Sequence, residues 1–347
     1  MYECISAGRQ YAMGLAMVAV MLFHLKVPGF EVCGHWGVDV FMFASGFGIY
    51  HALSKSTSIS CFYKRRLVRI MPAAVIAGVA VALVNYFFNN IASLDYELPY
   101  GFDYLLSTSG LQLWFIRGIL LLYLLSPLLY KLVGREFNVR KLILVTLLSQ
   151  FTLFCFHYSV RYIPEVVAPY YYATFCWTNL RFVAFFCGML SAAYGACYSI
   201  SWIRHGLLAF LLFVVAVVIR VHVDYGETPV FKYKFIIGVC KSLQYILIIP
   251  FIMIICGGLG YLVSRTSRVG LSGVFSVLRW FGLYSLEIYV VHESTFKVIE
   301  NLCEEHQTMY IYYVISIPVS LILAFLLNRL CRVVVHGLIL SRVRIQC

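Results

Sequence analysis

Apolar runs of about 20 residues recur along almost the whole chain, with no long polar segment between them. A helix rises 1.5 Å per residue, so a run of that length crosses a hydrocarbon layer about 30 Å thick. Inside lipid every backbone N–H and C=O must be paired within the protein, and uninterrupted runs of this length achieve that as helices. The chain is therefore predicted to be an all-α integral membrane protein, a bundle of about ten transmembrane helices. The spans are expected at 10–27, 36–54, 68–88, 112–131, 141–157, 179–197, 206–221, 235–256, 281–297 and 311–328. Composition agrees, with 62% hydrophobic and only 12% charged residues, where a soluble domain carries about 25% charged. Without an internal repeat or a low-complexity linker, residues 1–347 read as one transmembrane domain with no appended soluble domain.

A formal charge of +12 would suit a nucleic-acid partner, but the placement of the charges argues for a membrane. One set of connections carries Lys55, Lys64, Arg65, Arg66 and Arg69, then Lys131, Arg135, Arg140 and Lys141, and later Arg265, Arg268, Arg329 and Arg332. The alternate connections are poor in Lys and Arg, and Asp95, Glu97, Asp103, Glu300, Glu304 and Glu305 make two of them acidic. Basic loops stay in the cytoplasm, so both termini are expected there, in a multi-pass protein of the cell inner membrane. Pro28, Gly29 and Phe30 follow the first run in place of a small-residue cleavage site, so that run is expected to stay as a signal anchor. Twelve cysteines without a C-x-x-C pair read as packing residues, and no histidine pair has the spacing of a helical zinc site. No metal is expected. Segments 89–111, 158–178 and 222–234 are long enough to cover a cavity on the outer side, although the Tyr170–Tyr172 run equally suits an interfacial aromatic belt. Pro127 and Pro250 are expected to bend their helices.

Ionisable groups are costly in hydrocarbon and mark reaction centres or pathways. His24 closes the first span and Asp39 lies early in the second, so the two are expected at similar depth near the outer surface. A carboxylate that fixes the imidazole tautomer makes it a competent general base; a histidine satisfied by a carbonyl or a water at the interface is the plainer alternative. Lys64, Arg65, Arg66 and Arg69 open the third span at the cytoplasmic face. They act as a topology signal beside anionic lipid, or Arg66 and Arg69, three apart, clamp a polyphosphate. Trp114, Arg117 and Arg181 sit toward the outer half, and the ninth span carries Ser285, Glu287, Tyr289 and His292. Glu287 is the deepest acid and is expected to face a partner such as an arginine, either to hold helices together or to meet substrate.

These residues occur in the order of a known family. His24, Gly37-Val38-Asp39-Val40-Phe41 with Ser45-Gly46-Phe47, Arg66-Leu67-Val68-Arg69-Ile70-Met71-Pro72, Leu113-Trp114-Phe115-Ile116 with Tyr123 and Pro127, Arg181 with Phe185 and Gly188, and Gly282 through His292 together make the chain resemble the acyltransferase-3 family of membrane O-acyltransferases. The resemblance spans nearly the whole length. It implies a catalytic role for His24, acyl-donor contacts for Arg66 and Arg69, acetyl-CoA as the cytoplasmic donor, and a sugar hydroxyl of a glycan or lipid-linked precursor as acceptor. Members usually carry Arg or Lys eleven residues before the histidine; here Met13 stands there, with Arg9 one turn earlier.

The expected reaction is transfer of an acyl group, acetyl by expectation, across the membrane to a cell-surface polysaccharide or lipid-linked glycan. His24, oriented by Asp39, takes the hydroxyl proton, while Arg65, Arg66 and Arg69 hold the CoA phosphates. Trp114, Arg117 and Arg181 are candidate oxyanion donors, and Glu287 and His292 complete the substrate-facing set. The partners are then acyl-CoA, a glycan or glycolipid and membrane lipid, with no nucleic acid. Two other readings stay open. A glycolipid or small-anion transporter would use the same buried charges as a path, and a degenerate paralogue would explain Met13.

Overall fold

The computed structural model describes residues 2–30, 33–56, 58–87, 114–134, 139–159, 162, 175–194, 202–225, 240, 243–265, 269–305 and 309–340. Among these residues it is all helical. The helices are α1 (Tyr2–His24), α2 (Cys33–Ser54), α3 (Ile59–Phe87), α4 (Trp114–Val133), α5 (Val139–Ser159), α6 (Trp177–Tyr194), α7 (Trp202–Tyr225), α8 (Ile249–Arg265), α9 (Val269–Leu283), α10 (Ser285–Glu305) and α11 (Met309–Leu340). The segments expected to cover a cavity, 89–111, 158–178 and 222–234, lie wholly or mostly outside the described residues.

By length and composition α1, α3, α4, α7, α8 with the turn before it, and α11 can each cross a membrane, and α9 with α10 makes one further, bent span. The chain is thus a multi-pass membrane protein. Among the described residues six helices, or seven with the bent pair, meet this test, where the sequence led us to expect about ten spans. The reason is partly that α2 and α6 form the interior. Both are buried around most of their circumference, and a helix enclosed by other helices can carry Asp39 or Arg181 without showing them to lipid.

Several expected boundaries shift. α3 begins at Ile59, so Arg65, Arg66 and Arg69 lie within its second and third turns and Pro72 falls well inside the helix. The expected span 281–297 is two helices, α9 and α10, meeting at Tyr284 with a bend of 78°. α11 runs on to Leu340, past its expected end.

Backbone-to-backbone seams set the rotation of the inner helices. A Cβ at Gly46 would overlap the Phe185 carbonyl, and one at Gly188 would overlap that of Phe43. α2 and α6 therefore meet with nothing between their backbones, as small residues permit in membrane bundles. Gly8 and Gly260 do the same for α1 and α8, and Gly14 and Gly282 for α1 and α9. Gly188→Val is expected to prevent assembly, because overpacking that costs about 1–3 kcal/mol in a compliant core here meets main chain that cannot yield. Loss of monodisperse protein in detergent, with Ala192→Val at a nearby buried site as control, checks this.

Candidate active site

α1 ends in a tight C-terminal cap. The Val27 N–H donates to the Leu22 carbonyl at 3.1 Å and the Lys26 N–H to the Phe23 carbonyl at 2.9 Å, with Lys26 in the left-handed region at φ 56°. That pair of bonds is the Schellman arrangement, which leaves His24 in the last helical turn. Lys26 is held from outside by Glu300 of α10, 2.9 Å from Nζ, and this hydrogen bond raises the lysine's pKa above its ordinary value.

The cap turns His24 toward α10. Its Nδ1 lies 3.9 Å from Oε1 of Glu293, and its ring centroid is 5.0 Å from that of His292 in an edge-to-face contact. The His24 side chain keeps 28% of its surface exposed. Nδ1 of His292 faces the carbonyls of Ile288 (3.1 Å) and Tyr289 (2.8 Å). Carbonyls only accept, so the neutral ring carries its proton on Nδ1 and leaves the Nε2 lone pair unengaged among the described residues. Two imidazoles and a carboxylate thus converge at one end of the bundle, with Tyr289 between His292 and Phe115. Arg117 lies within electrostatic reach of the Tyr289 hydroxyl.

Asp39, expected to orient His24, instead faces Arg181, with Oδ1 3.4 Å from Nε and both side chains buried. The glycine seam explains this. Asp39 stands seven residues before Gly46, and Arg181 seven before Gly188. Seven residues are two turns, so each charge shares a face with its seam glycine. Where α2 meets α6, Asp39 must meet Arg181. The guanidinium is stacked between Trp114 and Tyr245, 4.9 and 4.8 Å from their centroids, and donates to the Trp177 carbonyl at 3.1 Å. Trp114 and Arg181 therefore belong to one buried cluster, joined to the His24 end through Phe115 and Tyr289.

The arginines of α3 part company. Arg69 donates to both oxygens of Glu287, at 2.6 and 3.4 Å, and Asn328 of α11 donates to the same carboxylate at 2.9 Å. The buried acid meets an arginine, as its depth required, and the partner is the very residue expected to hold phosphate. Arg66 turns away to lie over Phe62 and Tyr123, 5.7 and 5.8 Å from their centroids. With Arg65 it lines a cavity of about 280 Å³ whose walls include His51 of α2 and, just past its end, Lys55 and Ser56. Arg9 reaches the rim, its guanidinium against Gly48 and 5.6 Å from the Phe47 centroid. The cavity and His35, which touches Phe23 beside His24, sit about 20 Å apart along α2, counting from Gly48 to His35 at 1.5 Å per residue. Among the described residues no cluster of His, Cys, Asp and Glu is placed to hold a metal.

Sequence reasoning missed Glu293, His51, Lys55 and Asn328. Glu293 had a signal, since it directly follows His292 on a helix already singled out. His51 and Lys55 had one too, four apart on one face at the end of α2. Asn328 had none.

No curated protein and no solved structure matches the chain. The family model for acyltransferase 3, described as an acyltransferase domain, matches residues 11–329, which takes in His24, Asp39, the α3 arginines, the Gly46–Gly188 seam and Glu287 through Glu293. The chain belongs to the acyltransferase-3 family and is a membrane acyltransferase.

Proposed function

We propose that this protein is an O-acyltransferase that moves an acetyl group from cytoplasmic acyl-CoA to a sugar hydroxyl of a cell-surface polysaccharide or lipid-linked glycan. The observation that carries this reading is the separation of two sites along α2. A basic cavity of Lys55, Arg65 and Arg66 lies at one end, and a partly exposed imidazole beside a carboxyl group at the other. A phosphate-bearing donor suits the first and a hydroxyl acceptor the second. With the basic end in the cytoplasm, both termini lie there and the His24 end faces outward from the inner membrane.

His24 is the general base. Glu293 faces Nδ1 and favours the proton on that nitrogen, which leaves the Nε2 lone pair to take the acceptor proton as the hydroxyl oxygen attacks the thioester carbon. The tetrahedral oxyanion then collapses, the C–S bond breaks, and the imidazolium returns its proton to the departing thiolate. Donors in a water-poor site stabilise that oxyanion strongly, and Arg117, within electrostatic reach of Tyr289, and Trp114 are the candidates. Arg181, paired with Asp39, positions Trp114 by stacking on its ring. Arg65, Arg66, His51 and Lys55 hold the donor phosphates, and Arg9 supplies the α1 contact in place of Met13, while Arg69 is engaged by Glu287. His292 faces the acceptor beside His24.

Radiolabelled acetyl-CoA and a membrane glycan extract, incubated with purified protein in nanodiscs, test this. Label on saccharide supports the reading, while saccharide crossing the membrane unlabelled would replace it with transport. Arg66→Ala and Lys55→Ala are each expected to raise KM for the donor about tenfold, the value of one charge-assisted contact of about 1.4 kcal/mol. The kcat for saturating donor is expected to hold.

A further inference from the structure

The bend between α9 and α10 creates a second feature, away from both sites. α10 packs along α11, whereas α9 leaves the bend at 78°. A wedge therefore opens between α9 and α11. Its walls are Val277, Trp280 and Phe281 on one side and Leu321, Ile322 and Phe325 on the other, enclosing about 440 Å³. Trp280 stacks on Tyr284 at 4.6 Å, and Tyr284 approaches Phe325 at 6.2 Å, so aromatic rings close the narrow end. Among the described residues the lining side chains are all aliphatic or aromatic. At its border Arg329 lies over the Phe325 ring, 5.3 Å from the centroid, and Arg332 follows three residues later on the same face. Both arginines are exposed.

We infer that this wedge is a binding site for an anionic phospholipid, one acyl chain lying between α9 and α11 and the headgroup phosphate on Arg329 and Arg332. The volume falls within the range of small-molecule sites. Its apolar walls accept hydrocarbon and offer a headgroup nothing, while the paired arginines at the mouth offer bidentate contacts to a phosphate. Basic residues between helices at a membrane surface select anionic headgroups in this way. A bulk lipid gliding past the protein needs neither the wedge nor the charge. The site is independent of the acyl-transfer reading and leaves the donor cavity and His24 untouched.

Native mass spectrometry of protein released from nanodiscs of equal phosphatidylglycerol and phosphatidylcholine tests the inference. The unaltered protein is expected to retain phosphatidylglycerol about fivefold over phosphatidylcholine. Arg329→Gln is expected to remove most of that preference. Ile322→Trp, at a position 60% exposed, fills the wedge without touching the core and is expected to abolish retention of both lipids. Val277→Trp does the same from the opposite wall, and unfolding temperature confirms that both variants are intact. Equal retention of the two lipids by the unaltered protein, or undiminished retention in both tryptophan variants, overturns the inference.

Discussion

Acyl transfer is expected to fall by about 10²–10⁴-fold when His24 is replaced by alanine, the range over which a positioned general base contributes. The protein should stay folded, because His24 is partly exposed beyond the buried body of α1 and the cap behind it is made by backbone groups. Donor binding should also stay unchanged, since the basic cavity is at the far end of α2. Glu293→Gln is the companion variant. It preserves shape and replaces the carboxyl group facing Nδ1 with an amide, so transfer per folded molecule should drop while KM for the donor holds. Asp39→Asn separates the two carboxylates. If it lowers transfer per folded molecule more than Glu293→Gln does, Asp39 acts on His24 after all, and the contact with Glu293 is incidental. Full activity in His24→Ala would remove the histidine from the chemistry.

The second large effect is on stability. Asp39 and Arg181 are 0% and 2% exposed, so removing either leaves its partner's charge buried and unmatched. Breaking a buried pair from one side costs about 3–5 kcal/mol, and Arg181→Met is expected to lose that much in detergent unfolding. Asp39→Asn combined with Arg181→Met should recover most of the loss, because the pair itself adds little beyond what its removal as a whole would cost. Arg69 and Glu287 should behave asymmetrically. The Arg69 side chain is 49% exposed and that of Glu287 is 0%. Arg69→Ala strands a buried carboxylate with Asn328 as its remaining hydrogen-bond donor, whereas Glu287→Ala releases an arginine that can reach water. The first variant should therefore be the less stable. Equal losses would mean that Arg69 is as enclosed as its partner.

Depth was partly readable from the amino-acid order, and rotation was not. Hydropathy locates each residue along a helix axis, so Glu287 was expected to meet an arginine and does, whereas His24 and Asp39 were expected at similar depth and Gly37, two residues before Asp39, packs against Ala16 and Val20 below His24. Which residue meets which depends on how each helix is turned about its axis, and here that is decided by backbone contact at glycines. Gly46 and Gly188 were visible only as family matches. Their meaning, that Asp39 must face α6, appears once α2 and α6 are seen to touch. Arg69 was assigned to phosphate because a basic cluster has no internal sign of which member turns inward. The bend at Tyr284 was hidden for a similar reason, since the apolar pattern continues across it without a proline.

The seam between Gly8 and Gly260 has a consequence at a distance. α1 is unbroken from there to His24, sixteen residues or about 24 Å away. Main chain wedged against main chain cannot slide by part of a turn, so the histidine stands at a height set by an anchor near the opposite end of α1. α1 acts as a gauge rod, fixed at its foot and sensing at its tip. Under the proposed reaction, acceptors or acyl groups of different size are accommodated by what surrounds that tip, chiefly α10, while the rod keeps its length. A side chain introduced at the foot would be felt as misalignment at the tip, with every residue around His24 unchanged.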